Sequence, residues 1–179
     1  MVYVHLATGF EEIEAVTILD ILRRGHVSAG FVSVSGEKEV AGAHGISVLA
    51  DIIFEEADYE ACEMILLPGG MPGTKNLAAH GELMERIKEF DRQGKLLGAI
   101  CAAPLVFSQA GILNGRKATI YPGMEAAIGK AKASTDRVVT DGHIITSRGP
   151  GTAMDFALAA LAALQGKETA DRVRKDLVL

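Results

Sequence analysis

Short apolar runs alternate along this chain with longer amphipathic stretches, and this alternation limits the possible folds more than any other feature. Continuous apolar runs predict buried strands at residues 2–7, 64–67 and 96–100. Amphipathic spacing predicts helices at residues 13–24 and 77–93. Strands that alternate with helices form parallel βαβ units, so we predict an α/β sandwich with a mostly parallel sheet.

Length, charge and composition exclude several classes of protein. A chain of 179 residues predicts a single domain over residues 1–179. A net charge of −5 without a Lys/Arg run argues against nucleic acid as the main partner. No apolar stretch is long enough to span a membrane, and the N-terminus lacks a signal-peptide pattern, so we expect a cytoplasmic location.

Cys101 is the strongest local signal for chemistry. In open α/β sheets, sites lie at the carboxyl ends of the strands, and Cys101 directly follows the apolar run 96–100, before small residues and Pro104. This is the layout of a nucleophile elbow with Cys in place of Ser. The helix start that follows is expected to lower the thiol pKa. The alternative is a buried structural cysteine, which is our interpretation of Cys62.

Two further segments follow predicted strands and could complete a site. The backbone N–H of Gly70, together with that of Ala102, would form an oxyanion hole, although a plain glycine turn also explains the Gly-Gly pair. Glu11, Glu12 and Glu14 suit the first turn of a helix, where carboxylates are stabilising. Glu14 could instead hydrogen-bond Cys101 and act as a general acid.

The loop at residues 147–152 and the histidines leave weaker signals. Arg148 in this Gly- and Pro-rich loop could orient the site or bind an anion, and a turn capped by Thr152 explains the loop equally well. It is no P-loop, because the Gly-Lys-Ser/Thr ending is absent.

The five histidines lack a metal-ligand spacing, so we expect no metal site. We expect His143 to be solvated at a hairpin turn.

Four separated motifs then suggest a family. They are Glu-Glu-Ile-Glu at 11–14, Leu-Pro-Gly-Gly at 67–70, Ala-Ile-Cys-Ala-Ala-Pro at 99–104 and Thr-Ser-Arg-Gly-Pro-Gly-Thr at 146–152. In this order and spacing the chain resembles the ThiJ/PfpI superfamily, most closely its DJ-one branch, over nearly its whole length. The resemblance implies a flavodoxin-like sandwich related to class I glutamine amidotransferase domains, and a cytoplasmic homodimer.

The resemblance also implies roles for individual residues. Cys101 matches the easily oxidised nucleophile of the family, and Glu14 matches the buried, protonated glutamate that hydrogen-bonds it. Gly70 and Ala102 match the N–H donors of the oxyanion hole. The implied activity is that of a glyoxalase or deglycase acting on reactive carbonyls such as methylglyoxal, without glutathione, metal or other cofactor. The alternative is a redox-responsive chaperone or sensor in which Cys101 is oxidised to a sulfinate.

The chain departs from the family pattern at two positions. Ala102 stands where the peptidase-like branch has His, which removes the residue match for a peptidase. Tyr121 stands where the DJ-one branch often has His, and a tyrosine is a poor base near neutral pH. His44 matches a basic residue that approaches the site from the dimer partner, and Arg24 lies in the helix near the family's dimer contact.

Overall fold

The computed structural model describes the whole chain, Met1–Leu179. Its strands are β1 Val2–Leu6, β2 Ala29–Ser33, β3 Glu39–Ala41, β4 Ser47–Leu49, β5 Ile52–Ile53, β6 Met64–Leu67, β7 Leu96–Ile100, β8 Lys117–Ala118, β9 Lys132–Ala133, β10 Val138–Asp141 and β11 Ile144–Ser147. Its α-helices are α1 Glu12–Arg24, α2 Gly73–Ala79, α3 Gly81–Gln93, α4 Pro104–Gln109, α5 Ala153–Gln165 and α6 Lys167–Asp176. Short 3₁₀ turns occupy Phe54–Glu56, Glu125–Ile128 and Pro150–Thr152.

Seven strands form one sheet in the order β10-β11-β7-β6-β1-β2-β5. All neighbours run parallel except β10 and β11, which form an antiparallel hairpin at one edge. Two separate two-stranded ribbons, β3-β4 and β8-β9, lie outside this sheet. The predicted α/β class with a mostly parallel, flavodoxin-like sheet is therefore confirmed.

The two faces of the sheet bury two different cores, because successive residues of a strand point to opposite sides. On one face Val2, Val4 and Leu6 join a cluster with residues of α1, α5 and α6. On the other face Tyr3 joins a cluster with residues of α2, α3 and α4. Helices thus cover both faces, as a parallel sheet requires, and the molecule has three layers.

The order of the central strands places the site. From β1 the chain moves outward to β2 on one side, and it later returns to β6 and β7 on the other side. The carboxyl ends of β1 and β6 therefore mark a topological switch point, where α/β proteins bind their ligands. The segments that follow β1, β6 and β7 all end at this edge, as the sequence predicts.

Several local predictions need correction. The single helix predicted at 77–93 is two helices, because His80 ends α2 and its Nδ1 accepts the N–H of Leu83 at 3.1 Å to cap α3. Thr152 does not cap α5 with its side chain. Its hydroxyl bonds back to the carbonyl of Gly149 at 2.9 Å instead. The C-terminal residues form α6, which packs Val173 into the core.

No helix of the chain combines the length and the apolar composition that crossing a bilayer would require.

Candidate active site

Cys101 sits on a sharp turn between β7 and α4. Its φ is 64°, in the left-handed region that a side chain other than glycine rarely adopts. Two backbone hydrogen bonds hold this conformation: the N–H of Cys101 donates to Ser147 O at 3.0 Å, and its carbonyl accepts from Tyr121 N at 2.8 Å. The side chain is directed to the sheet edge with 9% of the residue exposed. The strand–turn–helix geometry that the sequence predicts around Cys101 is thus present.

Glu14 brings a carboxyl from α1 into the interior beside Cys101. It is fully buried, and its Oε2 accepts the N–H of Gly69 at 2.7 Å. Its other oxygen, Oε1, is buried without a hydrogen-bond partner. Burial raises the pKa of Glu14 to about 7, against the opposing effects of the Gly69 N–H and the Cys101 side chain. A buried carboxyl of this kind keeps a proton at near-neutral pH.

Gly69 contacts both groups with its backbone alone. A Cβ atom at this position would lie 2.6 Å from Cys101 Cβ and 3.0 Å from Glu14 Oε2. The next residue, Gly70, has a φ of 92°, and a Cβ there would lie 2.5 Å from the backbone nitrogen of Glu11. Both glycines are therefore required for the approach of β1, β6 and β7 at this edge.

The thiol has a raised pKa, which corrects the expectation that the following helix would lower it. Burial raises the pKa of Cys101 to about 12, and the charge of an ionised Glu14 acts in the same direction. The backbone N–H groups of Ala102 and Gly70 act in the opposite direction but do not outweigh burial. Helix α4 begins only at Pro104, so its N-terminal field is displaced from the sulfur.

Cys101 and Glu14 therefore ionise as a pair. Two neighbouring acids whose charges repel lose their protons in two steps that belong to both groups. Loss of the first proton leaves one negative charge and one proton between carboxyl and thiol. A Glu14 that retains this proton no longer repels a thiolate and can donate a charge-assisted hydrogen bond to it.

A cavity of about 210 Å³ opens above the thiol. Its walls are Gly70, Met71, Cys101, Ala102, Tyr121 and Met124. Tyr121 is 46% exposed and has no side-chain hydrogen bond, so its hydroxyl is free to meet a ligand. The volume corresponds to about seven water molecules at roughly 30 Å³ each, enough for a small carbonyl compound.

The other predicted accessory residues lie at different distances from this cavity. Arg148 lines an adjoining cavity that also has Tyr121 in its wall. His44 does not line the Cys101 cavity; its Nδ1 lies 2.9 Å from Glu12 Oε2, and its side chain is mostly exposed. Arg24 pairs with Asp20 at 2.6 Å and lies about 15 Å along α1 from Glu14 at 1.5 Å per residue, so the structure does not bring it to the site.

His143 differs from the expectation, whereas His44 lies in a small cluster with two carboxylates. His44, Glu11 and Glu12 offer ligand atoms that all lie within 4.8 Å of one another. Both oxygens of Glu12 already accept hydrogen bonds from the loop that carries His44, which gives this carboxylate a structural role. His143 is not solvated, because its Nε2 lies 2.8 Å from Asp91 Oδ1 with most of its ring covered.

Sequence reasoning missed three residues of the site. The sequence predicts Gly69 only as part of a turn, whereas in the structure its N–H donates a hydrogen bond to Glu14 Oε2. Met71 and Met124 form apolar walls of the Cys101 cavity. The Gly-Gly pair after an apolar strand was a signal for Gly69, whereas no local pattern marks the two methionines.

Comparisons with known proteins agree with the fold and the motifs. The model of the DJ-1/PfpI family matches residues 1–163. "Protein DJ-1 homolog B" of Arabidopsis thaliana is 41% identical over 180 residues, covering 99% of this chain and 41% of the plant protein. This chain therefore spans less than half the length of that relative.

Two further relatives match over nearly their whole length. "Glutathione-independent glyoxalase DJR-1.2" of Caenorhabditis elegans is 35% identical over 170 residues, covering 94% of this chain and 90% of that protein. The solved structure of "Toxoplasma gondii DJ-1, oxidized" superposes with a TM-score of 0.95 at 36% identity, covering 99% of this chain and 97% of that one. The predicted resemblance is thereby confirmed, and the chain belongs to the DJ-1/PfpI family.

Proposed function

We propose that the protein is a glyoxalase that uses Cys101 and Glu14, without glutathione, metal or other cofactor, to convert small α-oxo aldehydes into hydroxy acids. One observation carries the proposal above all: the buried carboxyl of Glu14, with its pKa raised to about 7, lies beside a thiol on a strained turn. A thiol and a proton carrier are the two groups that this reaction needs.

The reaction begins at the aldehyde carbon. The Cys101 sulfur adds to this carbon, the new C–S bond forms, and the carbonyl oxygen takes a proton to give a hemithioacetal. The N–H groups of Gly70 and Ala102, which already act on the sulfur, are suited to receive the developing oxyanion. This step consumes the proton that the pair releases on forming the thiolate.

Glu14 carries the next proton. As the carboxylate it removes the hydrogen of the former aldehyde carbon, and as the acid it returns a proton to the adjacent carbon. The proton of the hemithioacetal hydroxyl moves to the ketone oxygen, so the aldehyde carbon is oxidised to a thioester while the ketone carbon is reduced to an alcohol, with no external oxidant. Water then hydrolyses the thioester, releasing lactate from methylglyoxal or glycolate from glyoxal and restoring the thiol. The same chemistry on a glycated adduct would be a deglycase reaction.

The relative from Caenorhabditis elegans supports the proposal, since its name describes a glutathione-independent glyoxalase. Tyr121 and His44 remain the candidates for the position that His often occupies in the DJ-one branch. Tyr121 has the better position, because it lines the cavity of Cys101 in its own chain.

The test is lactate formation from methylglyoxal without glutathione. Wild type and Cys101→Ser are compared with Cys62→Ser, which replaces the chain's other cysteine at a buried position outside the cavity. We expect lactate from wild type and Cys62→Ser, and at least a thousandfold loss in Cys101→Ser, because a hydroxyl is a far weaker nucleophile than a thiolate near pH 7. Lactate formation by Cys101→Ser would contradict the assignment of the nucleophile.

A second candidate function is a redox-responsive chaperone or sensor. The structure of a relative from Toxoplasma gondii, described as oxidized, favours it. Here Cys101 would be oxidised by peroxide to a sulfinate, and the proton of Glu14 would hydrogen-bond one sulfinate oxygen. Rapid sulfinate formation in mass spectra of a wild-type protein that makes no lactate would favour this function.

The quaternary and cellular predictions also remain proposals. A homodimer would cover the apolar side chains exposed on α1 and beside β4, which are Ile13, Val16, Ile46 and Leu49. Light scattering coupled to size exclusion tests this, with Ile13→Glu expected to shift the mass to that of a monomer. A single-domain, cytoplasmic protein without a main nucleic-acid partner remains our expectation from the sequence.

A further inference from the structure

A second cavity adjoins the Cys101 cavity and shares one wall with it. It has a volume of about 280 Å³ and is lined by Tyr121, Pro122, Arg137, Arg148 and residues 149–152. Tyr121 also lines the cavity of Cys101. Tyr121 is therefore the boundary that the chain of a substrate attached to Cys101 would have to pass to enter the second cavity.

The second cavity carries a positive charge that the protein itself does not neutralise. Arg148 is half-buried and forms no salt bridge, and its only side-chain hydrogen bond is from Nη1 to Thr135 O at 3.1 Å. A guanidinium has five N–H donors, so most of those of Arg148 remain available. The exposed carboxylate of Glu125 acts on Arg148 only from a longer distance.

The neighbouring charged groups do not neutralise the positive charge of Arg148. Arg137 pairs with Asp155 at 2.7 Å and donates to Gly151 O at 2.9 Å. Arg174, from α6, approaches the same carboxylate at 3.6 Å. One carboxylate therefore faces two guanidinium groups, and Arg148 adds a third positive charge beside the cavity.

The loop that lines the second cavity is held by hydrogen bonds among its own residues. The hydroxyl of Thr152 donates to Gly149 O at 2.9 Å and accepts from Gly149 N at 3.1 Å. Ser147 Oγ lies 2.7 Å from the same hydroxyl. Gly149 packs under the Tyr121 ring, since a Cβ there would lie 3.3 Å from Tyr121 Cδ2. A preformed site of this kind binds with little ordering of its own chain.

We infer that the second cavity binds a carboxylate or phosphate group, and that the preferred substrates are α-oxo aldehydes carrying such a group on the chain beyond the ketone. Arg148 is the residue that contacts the anion, with a geometry suited to either group. The inference names the substrate class of the proposed reaction and rests on that proposal. It also gives a role to Arg148 in the Gly- and Pro-rich loop at residues 147–152.

The test compares substrates that differ in the anionic group. In the carboxylate arm, 4,5-dioxopentanoate is paired with 2-oxopentanal, in which a methyl group replaces the carboxylate. In the phosphate arm, hydroxypyruvaldehyde phosphate is paired with hydroxypyruvaldehyde. We expect wild type to prefer the anionic member of at least one pair by about tenfold in kcat/KM, as a charge-assisted hydrogen bond allows. The arm with the larger ratio identifies the anion.

Arg148→Met removes the charge while keeping the length of the side chain. We expect it to abolish the preference, mainly through a higher KM for the anionic substrate. The matched control is Arg172→Met, since Arg172 is exposed on α6 without a salt bridge, and it should keep the wild-type ratio. Equal ratios in wild type and Arg148→Met would overturn the inference.

A binding experiment distinguishes failure of the proposed reaction from failure of the anion site. If wild type turns over none of the four compounds, binding of inorganic phosphate is measured by titration calorimetry. Saturable binding in wild type and Arg172→Met that is lost in Arg148→Met supports the anion site without the reaction. Absence of phosphate binding together with absence of turnover overturns both proposals.

Discussion

Glu14 and Cys101 both pack against the main chain of Gly69, so this backbone fixes where the acid and the thiol lie relative to each other. The Gly69 N–H holds Glu14 Oε2 at 2.7 Å, and a Cβ on Gly69 would lie 2.6 Å from Cys101 Cβ. Backbone is stiffer than a side chain with several rotatable bonds. The pair is therefore held in one arrangement before any substrate arrives.

Gly69→Ala tests this arrangement. A methyl group at this position must displace Cys101, Glu14 or both, and overpacking of this kind costs about 1–3 kcal/mol. We expect a lower free energy of unfolding in urea and at least a hundredfold lower kcat/KM for methylglyoxal. Gly81→Ala is the matched control, because a Cβ there meets no atom within 4 Å. A Gly69→Ala variant with wild-type kinetics would contradict the role assigned to the glycine.

Glu14→Gln tests the raised pKa through stability. Burial raises the pKa of Glu14 from 4.5 to about 7, so between these values the folded chain binds the proton that the unfolded chain has lost. The free energy of unfolding therefore falls as the pH rises through this window, by at most about 3 kcal/mol. Glu14→Gln has no such group. Its stability relative to wild type should rise between pH 4.5 and 8 in urea unfolding, and a constant difference would refute the shift.

Cys101→Gly tests the strain of the elbow. At a φ of 64° glycine is unstrained, whereas alanine keeps the steric cost of the left-handed region. We expect Cys101→Gly to unfold with a free energy about 1 kcal/mol higher than Cys101→Ala, with both variants inactive. Cys62, which lacks a positive φ, should show the reverse order for the same two replacements. Equal stability of the Cys101 pair would show that the turn is not strained.

Tyr121→His tests whether the poor base at this position limits turnover. Tyr121 borders the Cys101 cavity and is half-exposed, so the smaller imidazole fits there without disturbing the core. An imidazole titrates near 6.5 and is a better proton carrier near neutral pH. We expect kcat for methylglyoxal at pH 7.5 to rise at least tenfold, whereas Tyr121→Phe should change it less than threefold. A tenfold loss in Tyr121→Phe would instead assign the phenol a direct role.

The layered fold was predictable because the central strands β6 and β7 are apolar runs that end at Pro68 and Cys101. The run at 64–67, for example, is β6 with the predicted bounds. The prediction of one helix at 77–93 failed because helical spacing continues through position 80, while the break depends on the local bond between His80 and the Leu83 N–H. The spacing of apolar residues predicts which face of a helix is buried, but it does not predict the hydrogen bonds that cap the ends of a helix.

The sequence predicts that Cys101 and Glu14 lie in one site, but it does not predict the electrostatics of that site. Cys101 could be found from its position after a strand, and Glu14 through the family resemblance. The sequence could not predict that the Cys101 pKa is raised, because this shift depends on how deeply the thiol is buried in the folded chain. Gly69 could not be predicted for a related reason: its close approach to both side chains is visible only when both are in place.

The order of the strands in the sheet also determines when Cys101 and Glu14 can meet. Glu14, Gly69 and Cys101 follow β1, β6 and β7, which are neighbours in the sheet but are separated by long stretches of chain. Contacts between such distant segments form late, because a large loop must close before they are made. During synthesis, a nascent chain that has emerged only through β6 holds the acid and the glycine without the sulfur. Cys101 thus meets Glu14 only when more than half of the polypeptide is in place, so a partly made chain cannot carry out the proposed reaction.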